Sequence, residues 1–449
     1  MLRPEMLLYA QARARARERR FQLIRRALLV LAMLVEAGLP LFPRVPLTGA
    51  LFAVSLIAFA TMGRPTRMTP PLYLVIVIVL LEMMLFQLGT TPEMIISRSC
   101  TFLSAVFLVD IYMRKEPDQL GLDLWPIFRF MALQGIGTVI LANISEGLFM
   151  SANWGDYDYR TIAYVFNYHK IATDAFAKAD GFFFERGVFQ LFLNLYLYFA
   201  IFVYKKKVDI VLAALGVLST WSTIGVAIMG MLFLLSVVIS SGSRSGNQSR
   251  MGIIAVIIVL AVPLSSLIVQ NIQDKLYGSQ SSSADARAFD FAAGMDIVSS
   301  HPIVGIGFSN DVFAEEFRQR SYLAGAGQGR EIADRGMSNG IVRLFLNVGI
   351  PVAIIFLFGM FRSRLVQNPL VVGLVLFFSL ISEPIIFCPF VLMIIFSGLI
   401  PRRRVQQPAQ PDVAPQGRAA VSPYFRPRPR PLRPGPAMGM HRARPNAGL

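Results

Sequence analysis

Cysteine is nearly missing from this 449-residue chain, and the two that occur, Cys100 and Cys388, both sit in apolar runs without disulfide or metal-ligand spacing. Neither a disulfide-stapled domain nor a thiolate metal centre is encoded. Charge is sparse as well: 16% of residues are charged against 55% hydrophobic. The apolar residues gather in blocks near the length needed to cross a hydrocarbon core roughly 30 Å thick. Blocks such as 71–88, 251–269 and 340–360 carry almost no charge over most of a helical span, which excludes a soluble multidomain protein. They are apolar on every face, which excludes the alternating strands of a membrane barrel. A small-residue cleavage site is also lacking after the first apolar run, where "LFPRVP" stands, so that run reads as a first span and not as a signal peptide.

What charge there is lies at the ends. Residues 1–26 hold eight Arg against Glu5 and Glu18, and residues 401–449 hold ten Arg against Asp412; together they account for 15 of the formal +16 units. Basic residues beside apolar spans mark the cytoplasmic side and anionic lipid, not nucleic acid. The chain is expected to be an all-α polytopic membrane protein in three parts: a basic cytoplasmic segment 1–26, a membrane domain 27–400, and a Pro/Arg-rich cytoplasmic tail 401–449 too poor in apolar residues to fold.

About twelve spans are expected, near 27–43, 47–62, 71–89, 97–113, 125–143, 187–204, 208–221, 222–241, 251–271, 338–360, 369–383 and 385–400. The connectors "GRPTRMTP", "RKEPDQLGLDL", "YKKK", "SGSRSGNQSR", "RSRLVQN" and "PRRR" are basic at every second boundary, which places both termini in the cytoplasm. The seventh span is short, and one long tilted helix over 208–241 is the alternative. Two long polar segments, 144–186 and 272–337, then fall outside, the second between spans nine and ten. It is expected to hold an amphipathic helix over 284–299, with Phe289, Ala292, Ala293 and Met295 on apolar surface and Arg287 and Asp290 on the polar side.

Four stretches carry a resemblance. Arg287 precedes the turn "HPIVGIGF", and Ser338-Asn339 opens "SNGIVRLFLNVGIPVAIIFLF". "ADGFFFERGVFQLFLNLY" (179–196) enters a span, and "LSTWSTIGVAIMG" (218–230) follows it. In order and spacing over residues 160–400, these resemble the signature of the O-antigen ligase and Wzy-type polysaccharide polymerase superfamily. Three positions depart from it. Ser338-Asn339 stands where His-Asn is usual, Thr223 where the family has Arg, and Arg186 where Pro follows the Glu. The lack of the ligase-type His favours a polymerase over a ligase.

The resemblance implies metal- and cofactor-independent glycosyl transfer at the outer face of a bacterial inner membrane. A glycan on undecaprenyl pyrophosphate passes to another lipid-linked repeat unit, in exopolysaccharide or O-antigen synthesis. A chain-length regulator and a flippase are the partners such a pathway implies. Usage of 36 Arg to 7 Lys suits a GC-rich bacterium with a xanthan-like polymer. A ligase-like transferase is the near alternative. A flippase is the alternative of another class, although the two repeated halves of transporters are not visible.

A pyrophosphate leaving group asks for fixed positive charge and a well-placed acceptor hydroxyl. Arg supplies that charge with a planar fork. Arg287 is the first candidate for the phosphate clamp, with Arg318, Arg320, Arg330, Arg335 and Arg343 behind it. Glu185, at a span boundary, is the candidate base, or else a partner of Arg186 or Lys178. Ser338 and Asn339 are candidates for holding substrate, Asn339 alternatively for capping a helix. His301, Pro302, Gly305 and Gly307 read as a structural turn. The acidic pairs Asp156/Asp158 and Glu315/Glu316 have no ligand spacing, and "SGSRSG" around Arg244 lacks the Lys-Ser/Thr of a phosphate loop.

Overall fold

The computed structural model describes residues 4–39, 43–62, 70–87, 89–115, 118–154, 157–169, 177–240, 281–323 and 337–401. Span nine (251–271), the connector 242–250, Arg330, Arg335 and the tail from 402 lie outside the described residues. Within them the chain is mostly helical. The helices are α1 (Pro4–Leu34), α2 (Arg44–Met62), α3 (Pro70–Leu85), α4 (Pro92–Met113), α5 (Gln119–Ile144), α6 (Arg186–Tyr198), α7 (Lys207–Ser219), α8 (Thr223–Ser240), α9 (Ser281–Ser300), α10 (Asn310–Gln319), α11 (Gly340–Met360), α12 (Pro369–Ser382) and α13 (Pro389–Leu399).

Each apolar block within the described residues overlaps one of these helices, the block 27–43 only as far as Leu34, where α1 ends. Five of them are long and apolar enough to cross a membrane: α2, α4, α5, α11, and α6 with its extension to Tyr204. The stretch 208–241 is two helices, because Thr220–Ser222 breaks the chain where Trp221 takes a left-handed backbone (φ 51°). Proline sets several starts: Pro92, Pro369 and Pro389 stand in first turns, where the missing N–H has no intrahelical partner to lose.

The core centres on α6 and α13. From Gly187 to Tyr198 every residue of α6 is buried, as is every residue of α13 from Pro389 to Gly398. Stacked and edge-on rings of Phe183, Phe192 and Phe390 tie the start of α6 to α13. After Tyr198, α6 continues as a π-helical turn to Tyr204 and stops at left-handed Lys205.

One expectation needs correction. The fold is not all-α: residues Met150–Trp154, Tyr157–Ile162 and Phe166–His169 form a three-stranded antiparallel sheet (β1, β2, β3 in that order) inside segment 144–186. The strands are short and rich in Tyr, Thr, Trp and Phe, residues that suit a pleated surface. Ala163 and Tyr164, both at positive φ, make the turn between β2 and β3. Residues 4–26 of the basic segment are part of α1, and Arg25 is 1% exposed, in an ion pair with the fully buried Asp123 (Nε to Oδ2, 2.7 Å). Tyr112 and Gln119 complete the Asp123 shell at 3.1 and 3.0 Å.

The "HPIVGIGF" turn locks onto a break in α11. Gly349 is non-helical (φ 70°) and Pro351 has no N–H, so two carbonyls of α11 lose their helical partners. The Leu346 carbonyl accepts instead from Ile306 N (2.7 Å), and the Asn347 carbonyl from Gln87 Nε2 (2.9 Å). In return Ile350 N donates to the Pro302 carbonyl (2.8 Å) and Asn347 Nδ2 to the Gly307 carbonyl (2.8 Å). A Cβ on Gly305 would overlap the Leu346 carbonyl, and one on Gly349 the Ile303 carbonyl. The glycines are therefore needed for close backbone approach. Phe289, Ala293, Ile297 and Ile306 then pack against Val342 and Leu346, fixing α9 along α11.

Candidate active site

The beginnings of α6 and α11, the loop Glu383–Cys388 and one face of α9 meet at one place. At the start of α11, Asn339 is the N-cap: its Oδ1 accepts from Ile341 N and Val342 N, both at 3.0 Å. Ser338 is held by Asp290 of α9, whose Oδ2 accepts from Ser338 N (2.9 Å) and Ser338 Oγ (2.7 Å). Asp290 is 4% exposed, contrary to the polar, outward place expected for it, while Met295 and Phe291 are 45% and 55% exposed. The physical reason is the helical period. Positions 290, 294 and 298 share a stripe with 289, 293 and 297, and Asp290 has a buried job in fixing Ser338.

At the start of α6, Glu185 has extended backbone and is half-buried. Just before it, Asp180 is 2% exposed and takes hydrogen bonds from the His169 and Arg186 backbone N–H groups. Burial pushes its carboxyl up to about 8, against the attraction of Arg186. Sequence reading missed the third acid, Glu383. It stands in the loop after α12, 4% exposed, with Oε1 accepting from Ser382 Oγ (3.3 Å). Glu383 lies over the first turn of α6: a Cβ on Gly187 would overlap its Oε1. Gly340, at the start of α11, is equally bare against the Glu383 carbonyl. Burial raises the Glu383 carboxyl well above its ordinary range, and the neighbouring Glu185 adds to that. Burial raises Glu185 too, while a hydrogen bond from Glu383 and the charges of Arg287 and Arg186 work the other way.

Arg287 therefore stands by both carboxyls, its charge favouring their ionised forms, while the residue itself is exposed. The charge of the candidate clamp thus acts on the candidate base. Behind them Arg343 donates from Nη1 to the Pro384 carbonyl (3.2 Å). Also missed from sequence was Arg98 of α4, which pairs with Glu36 and lies 4.9 Å from the Phe308 ring and 5.8 Å from the Phe387 ring. The signal that could have found Arg98 and Glu383 is the same for both: an ionisable side chain inside or beside an apolar span.

The other candidates lie apart. Arg320 is engaged by Asp296 and Glu316, each at 2.7 Å, and Arg318 faces Glu315 at 3.9 Å on the far side of α10. His301 is exposed, its N–H donating to the Ile297 carbonyl and its carbonyl accepting from Gly305 N. With Pro302, Gly305 and Gly307 it forms the turn described above.

Residues 208–357 match a family model described as O-antigen ligase. The match runs from α7 through most of α11, includes Arg287, the turn and Ser338-Asn339, and agrees with the superfamily that the motifs resemble. Glu185 and Glu383 lie on either side of it. No curated protein matches the chain.

Proposed function

We propose, from the O-antigen ligase domain at residues 208–357, that this protein polymerises glycan repeat units carried on undecaprenyl pyrophosphate at the outer face of a bacterial inner membrane. The observation that carries the reading is the meeting of Arg287 of that domain with the half-buried Glu185 at the start of α6.

Chemically, the acceptor sugar hydroxyl attacks the anomeric carbon of the donor, and the bond from that carbon to the pyrophosphate oxygen breaks. Arg287 sits where it can hold the departing anion through two N–H groups. Glu185 receives the proton that the hydroxyl gives up. Ser338 and Asn339, fixed by Asp290 and by the cap of α11, border the same place and hold the acceptor or donor glycan. Arg343 strengthens the local positive field, and Arg318 and Arg335 are the further contacts proposed along the glycan.

A second reading, transfer to a lipid A core acceptor, is favoured by the description of the matching family and opposed by Ser338 at the position of the ligase-type His. Purified protein in liposomes, given lipid-linked repeat units alone, is expected to lengthen the lipid-linked glycan. If product forms only when a core acceptor is added, the protein is a ligase.

A further inference from the structure

Two carboxyl groups side by side, one of them buried, are a costly arrangement unless a proton is held between them. Glu383 is 4% exposed, and among the described residues its Oε2 receives no hydrogen bond. As a carboxylate this oxygen would be an uncompensated buried charge. A protonated Glu383 carboxyl has an acceptor at hand, Glu185, to which the Glu383 side chain is hydrogen-bonded. Room for the contact is provided by the missing Cβ at Gly187. The charged groups facing the pair are Arg287 from α9, Arg186 from α6 and Asp180 from the preceding loop. Arg343 of α11 is bonded to the Pro384 carbonyl, next in the chain to Glu383, and its charge neighbours are Glu36, Arg98 and Arg44.

Resting on the glycosyl-transfer reading, we propose that Glu383 is a positioning residue. In its protonated form it donates a hydrogen bond to the Glu185 carboxylate and keeps that carboxylate ready to take the proton of the acceptor hydroxyl. A buried carboxyl alone at position 185 would carry a proton over more of the neutral range and be unable to accept one. The donated bond stabilises its ionised form. In the transfer step the hydroxyl oxygen bonds to the anomeric carbon, and the pyrophosphate leaves with the electron pair of the broken C–O bond. The hydroxyl proton moves to Glu185 and from there to solvent. Glu383 ends the step as it began it, protonated.

The test is the pH–rate profile of the reconstituted full chain acting on lipid-linked repeat units, for wild type, Glu383→Ala and Glu383→Gln. In Glu383→Ala the acid limb moves up by about one pH unit, so kcat at any pH on that limb falls about tenfold and recovers at higher pH, with KM little changed. Glu383→Gln keeps an N–H donor without charge and recovers most of that loss, and its alkaline limb, set by ionisation of Glu383, disappears. Equal loss in both variants, or an unmoved acid limb in Glu383→Ala, overturns the proposal. Should Glu383→Ala fail to insert, Glu383→Gln decides alone: a retained alkaline limb or an acid limb shifted upward overturns it. Infrared spectra supply a readout free of activity. At pH 7 the difference between wild type and Glu383→Gln shows the band of one protonated carboxyl, the Asp180 band being common to both, and an active wild type without that difference band overturns this proposal alone. Wild type that carries the band but transfers no glycan ends the glycosyl-transfer reading and the base role with it.

Discussion

At the scale of single residues, the site depends on how charge is held in a place with little water. Arg287→Lys keeps the charge but loses the planar fork, and Arg287→Ala loses both. Each is expected to lose most polymer-forming activity, in the range of about 2.7–4 kcal/mol that removal of one transition-state donor costs. Polymer yield at matched membrane abundance is the check. At the other end of the bundle, Arg25 and Asp123 form a pair whose side chains are 1% and 0% exposed. Arg25→Ala leaves the buried Asp123 carboxylate without its cation, and a loss of about 3–5 kcal/mol is expected in detergent unfolding, whereas Asp123→Ala leaves Arg25 its pair with Glu18 and costs less.

Asp180 gives a pH signature. Its ordinary value of 3.8 is raised to about 8 by burial, so between those values the folded form keeps a proton that the unfolded chain has lost. Stability must therefore fall as pH rises through that window. Asp180→Asn, uncharged throughout, is expected to flatten this slope. Melting temperatures at pH 5 and pH 9 should show its advantage over wild type growing toward pH 9.

At the scale of elements, the break in α11 is the organising device. Gly349→Ala forces a left-handed backbone onto a residue with a Cβ, a cost of roughly 1–2 kcal/mol, before the overlap with the Ile303 carbonyl is counted. The expected outcome is a lower melting temperature together with faster proteolysis of 281–323, since that segment loses its backbone contacts to α11. The sequence already showed the turn as structural, because His-Pro and two closely spaced glycines have few other uses. It did not show the partner, since the Leu346 and Asn347 carbonyls are freed only by a kink 40 residues downstream. Helix positions were legible because apolar blocks are long and unambiguous. The sheet of 150–169 was not, because its strands span only four to six residues and adjacent positions such as Asn167 and Tyr168 are both buried, so no alternating pattern marks them. Asp290 was misplaced because a carboxylate on a helix reads as solvated until its partner, Ser338 N, comes to it from 48 positions away.

At the scale of the whole molecule, the candidate site is assembled from residues 180–187, 287–290, 338–343 and 383–384, and chain order alone brings none of these together. Arg287 and Glu185 could be singled out by motif. Glu383 could not, because it follows one apolar span and precedes another with nothing local to mark its neighbour. Basic connectors at alternate boundaries predict one side for both termini and 242–250, and the opposite side for 144–186 and 272–337. Cysteine labelling at residue 310 checks this: reaction with an impermeant reagent applied from outside is expected, and protection would reverse the topology. Truncation after Arg404 is expected to leave total polymer unchanged, because the proposed topology puts the Pro/Arg-rich tail and the proposed reaction on opposite sides of the membrane. A shift in polymer length in that variant would assign the tail a role in regulation.

The most direct measurement is made in liposomes with purified protein and a single population of undecaprenyl-pyrophosphate-linked repeat units. Wild type and Arg287→Lys are compared side by side, and product is resolved by length and by the lipid it carries. The account predicts a ladder of longer lipid-linked glycans from wild type and little or none from Arg287→Lys. Transfer by Arg287→Lys at the wild-type rate, or no lengthening by an intact wild-type protein, would contradict it.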